Sequence, residues 1–217
     1  RFTTNRGSHA MSKQNEDLFT SYYKDQFWGN DDGSSGPNSA YESTPLLRGN
    51  LQRLFYQLEI KSIFDAGCGD ANLFKYIDLN GIEYTGMDCV QTMIESNQNY
   101  FKDQANTSFV MGDVTEESFS RVDLIISRDV LHYLPNALVD QFLLQVIESK
   151  SRYLLVTHNV ASDKSANSET ELGIFRPVNL TCPPFSLPTP MLTIQEDVAN
   201  KELALWPIAD LGAVKFS

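Results

Sequence analysis

What this chain has little of narrows it first. Its 217 residues hold three cysteines, Cys68, Cys89 and Cys182, far apart and without a Cys-x-x-Cys pair. That spacing suits neither a zinc site nor a disulfide framework, so reduced thiols and no metal are expected. Basic residues are scarce: 17 Lys and Arg against 28 Asp and Glu give a formal charge of −11. Duplexes and anionic bilayers select for the opposite sign, which argues against nucleic acid or a membrane as direct partner. No apolar run approaches the roughly 18 residues of a membrane span, and polar residues follow Met11. A cytoplasmic protein, monomer or homodimer, is expected. Without a secretion signal, Asn106-Thr107-Ser108 and Asn179-Leu180-Thr181 match the glycosylation pattern by accident.

What is present is a globular composition, 41% apolar and 11% aromatic. Residues 1–10, RFTTNRGSHA, read as an expression-tag remnant before a natural start at Met11. The remainder fits one α/β domain with a full-sized core. Residues 11–58 form an aromatic N-terminal segment and a helix, and residues 59–217 the core. The N-terminal segment interleaves Phe19, Tyr22, Tyr23, Phe27 and Trp28 with polar residues, then passes through a turn-rich stretch, 30–39. Either it closes over a ligand as a lid, or it packs as a helix on the sheet edge. Next, Ser43 or Thr44 can cap a helix, Pro45 suits its first turn, and Leu47, Leu51, Leu54, Phe55 and Leu58 recur at helical spacing.

Five strands follow, over 62–65, 83–88, 108–113, 122–127 and 152–157, with a helix over 135–149. Strands alternating with helices predict a mostly parallel sheet covered on both faces. Residues 161–190 break the pattern with Pro177, Pro183, Pro184, Pro188 and Pro190 and no helical period. Residues 191–195 and 203–208 then read as a closing antiparallel pair.

The chemistry gathers at strand ends. Gly67 and Gly69 stand where the first strand turns into a helix, which permits a tight turn and close approach of a ligand. A pyrophosphate site is disfavoured there: Asp65 would repel phosphate, and Asn72 stands where a dinucleotide fingerprint carries its third glycine. An acid at that point suits a ligand bearing an ammonium and a sulfonium. Asp88 ends the second strand, where it can accept from two ribose hydroxyls, and Asp113 ends the third, where it can accept from an adenine amino group. Three carboxylates at three successive strand ends mark a site rather than three solvated turns.

Asp65-Ala66-Gly67-Cys68-Gly69-Asp70, the acid Asp88, Gly112-Asp113-Val114 and the run from Asp123 to Leu134 resemble motifs I to IV of class I S-adenosylmethionine-dependent methyltransferases, over residues 60–160. Trp28-Gly29, Ser35 to Ser39 and the Arg176–Pro190 stretch resemble the flanks of a bacterial subgroup of ill-defined substrate. The resemblance implies a Rossmann-like fold with a seven-stranded sheet in the order 3-2-1-4-5-7-6, and S-adenosylmethionine as cofactor with S-adenosylhomocysteine as product. Two departures stand out. Residues 161–190 hold no counterpart of the helix usual between strands five and six, and a His usual in the subgroup is replaced by Tyr133, with His132 one place earlier.

Candidate cofactor residues are Asp65, Gly67, Gly69, Asp88, Cys89, Asp113, Val114, Arg128, Trp28 and Arg48. Arg48 either meets the cofactor carboxylate or faces solvent. Candidate catalytic residues are His132, His158, Asp129 and Tyr133. Each histidine is a base at a strand end or merely caps a helix or packs under a loop; Asp129 and Tyr133 orient the acceptor, or Asp129 simply pairs with Arg128. The Pro-rich loop is expected to wall the acceptor pocket. Cys182-Pro183-Pro184-Phe185 follows strand five and opens with Cys, so it is not the Asn/Asp-Pro-Pro-Tyr/Phe motif of amino-methylating enzymes. The leading function is methyl transfer to a small-molecule acceptor, a sugar or metabolite hydroxyl. Protein methylation and a cofactor-binding regulatory domain are the alternatives, and a nicotinamide-dependent oxidoreductase is disfavoured by Asp65 and Asn72.

Overall fold

A computed structural model describes residues 6–29, 33–160, 167–196 and 200–212. The remainder of the tag-like segment (1–5), part of the turn-rich stretch (30–32) and the first residues of the Pro-rich loop (161–166) lie outside the described residues. Seven strands form one sheet: β1 (Ser62–Ala66), β2 (Glu83–Asp88), β3 (Thr107–Met111), β4 (Leu124–Ser127), β5 (Tyr153–Asn159), β6 (Leu192–Gln195) and β7 (Lys201–Pro207). Their order is β3-β2-β1-β4-β5-β7-β6, as the sequence resemblance implies. β1 to β5 are parallel, whereas β7 runs antiparallel to β5 with Asn159 paired to Lys201. That register brings the start of β7 to the carboxyl ends of the parallel strands, where ligands bind in open α/β sheets.

Helices cover both faces. α1 (Arg6–Lys24) begins inside the segment read as a tag remnant. α2 (Pro45–Gln57) starts with Pro at its first turn and buries Leu47, Leu51, Leu54 and Phe55. With α3 (Gln91–Tyr100) it covers one face of the sheet, meeting Ile63, Tyr84, Ile126 and Leu155. α4 (Asn136–Glu148) covers the other, turning Leu138, Val139, Phe142, Leu143 and Val146 inward.

Between β5 and β6 the described residues form no helix and supply a core-forming loop instead. Val178, Leu180 and Phe185 have no exposed surface, Leu187 has 3%, and all four join the α4 core with Trp206. Backbone polarity is met by the buried Asn167. Its amide donates to Asn179 O at 2.7 Å and Pro183 O at 2.9 Å, and its Oδ1 accepts Asn179 N–H at 2.9 Å.

The helix expected after Gly69 is the main departure. Only one 3-10 turn, Asn72–Tyr76, is present. Ala71, Asn72, Leu73 and Phe74 are four consecutive buried residues, which no single helical stripe accommodates. Asn72 is also drawn off by its amide bond to Ser39 O, at 2.9 Å.

Candidate active site

A cavity of about 470 Å³ lies over the carboxyl ends of β1 to β5. One end is built on β1, β2 and β3. Gly69, at φ +53°, turns its N–H onto Asp88 Oδ2 at 2.9 Å, while Asp88 Oδ1 accepts Val90 N–H at 3.0 Å. A Cβ at Gly69 would stand 2.5 Å from Ser35 Oγ and 2.7 Å from Tyr23 OH, so only glycine fits under this cover. Asp113 Oδ1 accepts Thr115 N–H at 2.9 Å, and its Oδ2 accepts the amide of Asn15 on α1. Asp65, wholly buried, has the Tyr84 hydroxyl as its partner, at 2.7 Å. Cys89 and Val114 line the same end.

Among the described residues none of these carboxylates makes an ion pair, although Arg128 acts on Asp65 from a distance. Burial pushes the Asp65 carboxyl up to about 7, against the lowering bond from Tyr84. Burial likewise lifts Asp88 to about 6, although the Gly69 and Val90 N–H groups pull it down. Buried carboxylates with spare lone pairs fit a ligand bringing an ammonium, a sulfonium and several hydroxyl or amino donors. S-adenosylmethionine has that inventory; a pyrophosphate does not.

The other end is built on β4, β5 and β7. Asp129, at φ +61°, is anchored by its N–H to Thr157 Oγ1 at 2.8 Å. Its carboxylate meets His132 Nε2 at 3.2 Å and Lys201 Nζ at 2.7 Å. Burial alone would raise this carboxyl, but Arg128, His132 and Lys201 outweigh it and hold it well below the usual range. An ionised Asp129 only accepts, so His132 Nε2 carries a proton, and in the neutral imidazole Nδ1 keeps the lone pair. His132 is 2% exposed, and Nδ1 has no partner. Among the described residues lining the cavity, it is the only buried side-chain nitrogen or oxygen so left.

Two segments close the cavity. Residues 28–29 and 33–39 cross over it: Ser34 N–H and Ser35 Oγ bond Asp70 at 2.6 and 2.7 Å, and Trp28 Nε1 donates to Tyr133 OH at 2.9 Å. The Pro-rich loop forms the facing wall. Arg176 N–H bonds His132 O at 3.0 Å and Gly173 N–H bonds Tyr133 O at 2.7 Å, which brings Phe175 to 5.3 Å from the imidazole. α1 meets the Pro-rich loop where Tyr22 OH donates to Gly173 O at 3.2 Å.

Of the fourteen residues singled out from sequence, two lie elsewhere. His158 is not on the cavity wall: β5 runs two residues beyond the expected 152–157, so His158 sits inside a strand. Its Nδ1 accepts Leu180 N–H at 3.2 Å, its ring meets Trp206, and burial lowers it to about 4. Arg48 is also off the cavity, its guanidinium over Tyr41 at 4.2 Å and bonded to Tyr41 O and Thr44 Oγ1. Arg128 lines the cavity, but its donors go to Ser39 Oγ, Asn38 O and Glu196. It tethers the covering segment rather than presenting a free guanidinium to a ligand. Sequence reasoning missed Asn15, Tyr23, Ser35, Asp70, Phe175 and Lys201. Lys201, 5% exposed and ion-paired to Asp129 and Glu196, is the least foreseeable.

Comparison with known proteins agrees with this geometry. The sequence model of a methyltransferase domain family matches residues 63–149. No curated protein matches the chain. Magnesium protoporphyrin IX methyltransferase (ChlM) from Synechocystis PCC 6803, solved with bound SAH, superposes with a TM-score of 0.65 at 13% identity, covering 88% of this chain and 96% of that one. Phosphoethanolamine N-methyltransferase 1 from Haemonchus contortus, solved with phosphoethanolamine and S-adenosylhomocysteine, gives 0.59 at 16% identity, over 92% of this chain and 45% of that one. Against the methyltransferase domain of bacterial CtHen1 the chain spans 65% of that domain's length, at 20% identity and a TM-score of 0.47. Residues 63–149 match a methyltransferase domain family, and the chain has the Rossmann-like fold of these S-adenosylmethionine-dependent methyltransferases.

Proposed function

We propose that the protein methylates a hydroxyl of a small-molecule acceptor, with His132 as general base and Asp129 as the group that orients it. The observation that carries this reading is the unpartnered, buried Nδ1 of His132, fixed through Nε2 on an ionised Asp129. In this reading Asp88 receives the cofactor's ribose hydroxyls, Asp113 its adenine amino group, and Asp65 faces its positive end. Gly67, Gly69, Cys89 and Val114 shape the same end, and Trp28, bonded to Tyr133, covers the cavity beside the acceptor end.

S-adenosylmethionine, held by Asp65, Asp88 and Asp113, would supply an electrophilic methyl group to the acceptor oxygen and leave as the neutral thioether, while His132 Nδ1 would take the hydroxyl proton. The residues supply the rest. Asp129 stabilises the imidazolium that results, and Lys201 and Arg128 hold Asp129 in place. Tyr133 is held by Trp28 and takes no proton, since burial raises its hydroxyl. The covering segment and the Pro-rich loop exclude water, and enclosure on both sides favours a small acceptor over a protein surface.

The test is transfer of labelled methyl from S-adenosylmethionine to a hydroxyl-bearing panel by wild type and His132→Ala. Positioned general bases contribute about 10²–10⁴-fold, so His132→Ala loses at least a hundredfold in kcat while its S-adenosylhomocysteine affinity is kept. Retention of full activity in the variant removes the base assignment.

A further inference from the structure

We infer that the acceptor is a planar aromatic alcohol, a phenol carried on a small molecule; this rests on the function proposed above. The argument is an inventory of what the acceptor end has left to offer.

Its charges are already paired. Arg128, Asp129, Lys201 and Glu196 form a buried quartet of two cations and two carboxylates, with Lys201 3.4 Å from Glu196 and Arg128 3.5 Å from Asp129. Among the described residues lining this end, a carboxylate- or phosphate-bearing acceptor finds no cation without an ion-pair partner, and an ammonium finds no such acid. Displacing any member would leave its partner buried and unpaired.

Several of its neutral polar groups are engaged too. Asn159 accepts Val178 N–H at 3.0 Å and donates to Asn200 O at 3.4 Å. Tyr133 takes the Trp28 N–H, and Ser39 takes an Arg128 N–H. A sugar, with hydroxyls all round its ring, would bury several of them unsatisfied.

What remains is aromatic surface around one basic nitrogen. The Trp28 and Tyr133 rings lie 5.7 Å apart, Tyr133 and Phe175 5.9 Å, and Phe175 and His132 5.3 Å. These side chains come from the covering segment, the turn after β4 and the Pro-rich loop, so three unconnected pieces of chain converge on one collar. Phe175 is 59% exposed, and Ile174 beside it 54%, an apolar rim beside the cavity. An aromatic ring satisfies the faces by stacking, and its single hydroxyl satisfies Nδ1. The phenolic proton is also the one an imidazole removes most readily, because a phenol near pKa 10 is far more acidic than an alkyl alcohol.

The experiment uses the full chain. Thermal unfolding of the S-adenosylhomocysteine complex is recorded with simple phenols, methyl glycosides, phosphoethanolamine and a tyrosine-containing peptide, and methyl transfer to each is measured with S-adenosylmethionine. Expected are further stabilisation by phenols alone and O-methylated phenol as product. Phe175→Ala should raise KM for the phenol about tenfold, with kcat within about threefold, since an aromatic contact is worth up to about 1.5 kcal/mol. Phenols that neither bind nor react, while a glycoside, an amine or only the peptide is methylated, overturn the acceptor class and leave the methyltransferase reading intact. Binding of S-adenosylhomocysteine with no phenol recognised also overturns it. A protein that fails to bind S-adenosylhomocysteine at all refutes the function beneath it instead.

Discussion

Lys201 Nζ stands 2.7 Å from the Asp129 carboxylate, joining the first residue of β7 to the turn after β4. Both are largely withdrawn from solvent, so removing the ammonium strands a carboxylate that retains only Arg128 and His132. Breaking a buried pair by removing one partner costs about 3–5 kcal/mol. Lys201→Met is expected at the low end of that range in urea unfolding, with Lys201→Arg recovering most of it. A loss below about 1 kcal/mol in Lys201→Met would show that the pair is not holding Asp129.

Asp88→Ala should lose S-adenosylhomocysteine binding by at least about a hundredfold, the equivalent of roughly 2.7 kcal/mol. The variant also frees the Gly69 and Val90 N–H groups, so its fold is checked by circular dichroism at the same time. A folded variant of undiminished affinity would remove Asp88 from the cofactor site.

Asp70 latches the covering segment through Ser34 N–H and Ser35 Oγ. Hydrogen bonds to a charged group are worth about 1.5–3 kcal/mol each. Asp70→Ala is therefore expected to speed S-adenosylhomocysteine release about tenfold or more in stopped-flow measurements. An unchanged off-rate would mean that residues 33–39 do not govern access.

The stability of the ligand-free protein should fall as pH rises from about 4 to 7. Asp65, raised to about 7, and Asp88, raised to about 6, stay protonated in the fold after the unfolded chain has released those protons. His158, lowered to about 4, works oppositely, because the unfolded chain protonates it below its ordinary value. Two carboxyls outweigh one imidazole. Asp123 and Asp129 are depressed, so their contributions vanish only at lower pH. Thermal unfolding between pH 5 and 8 should show the decline in wild type and a smaller one in Asp65→Asn. An identical slope in both would refute the Asp65 assignment.

Much of this was legible in the residues. Strand ends at Asp65, Asp88 and Asp113 announced themselves by an acid after a short apolar run, and the α2 and α4 stripes by their spacing. Lys201 was not legible: a lysine at a strand start reads as a solvated edge, and only the antiparallel pairing with Asn159 carries it to the site. Phe175 sits in a stretch without period, positioned by backbone bonds to His132 and Tyr133 that leave no mark in side-chain types. His158 misled because β5 is extended by its β7 partner. Arg48 misled because one residue beyond the buried Leu47 its guanidinium reaches Tyr41 and Tyr76 instead of the cavity.

The central claim is tested most directly by thermal unfolding with S-adenosylhomocysteine and, in parallel, NAD. A ligand at 100 times its Kd adds about 2.7 kcal/mol, roughly 5–10 °C for a domain of this size. The account predicts that rise with S-adenosylhomocysteine and none with NAD. A rise with NAD alone, or with neither, would contradict it.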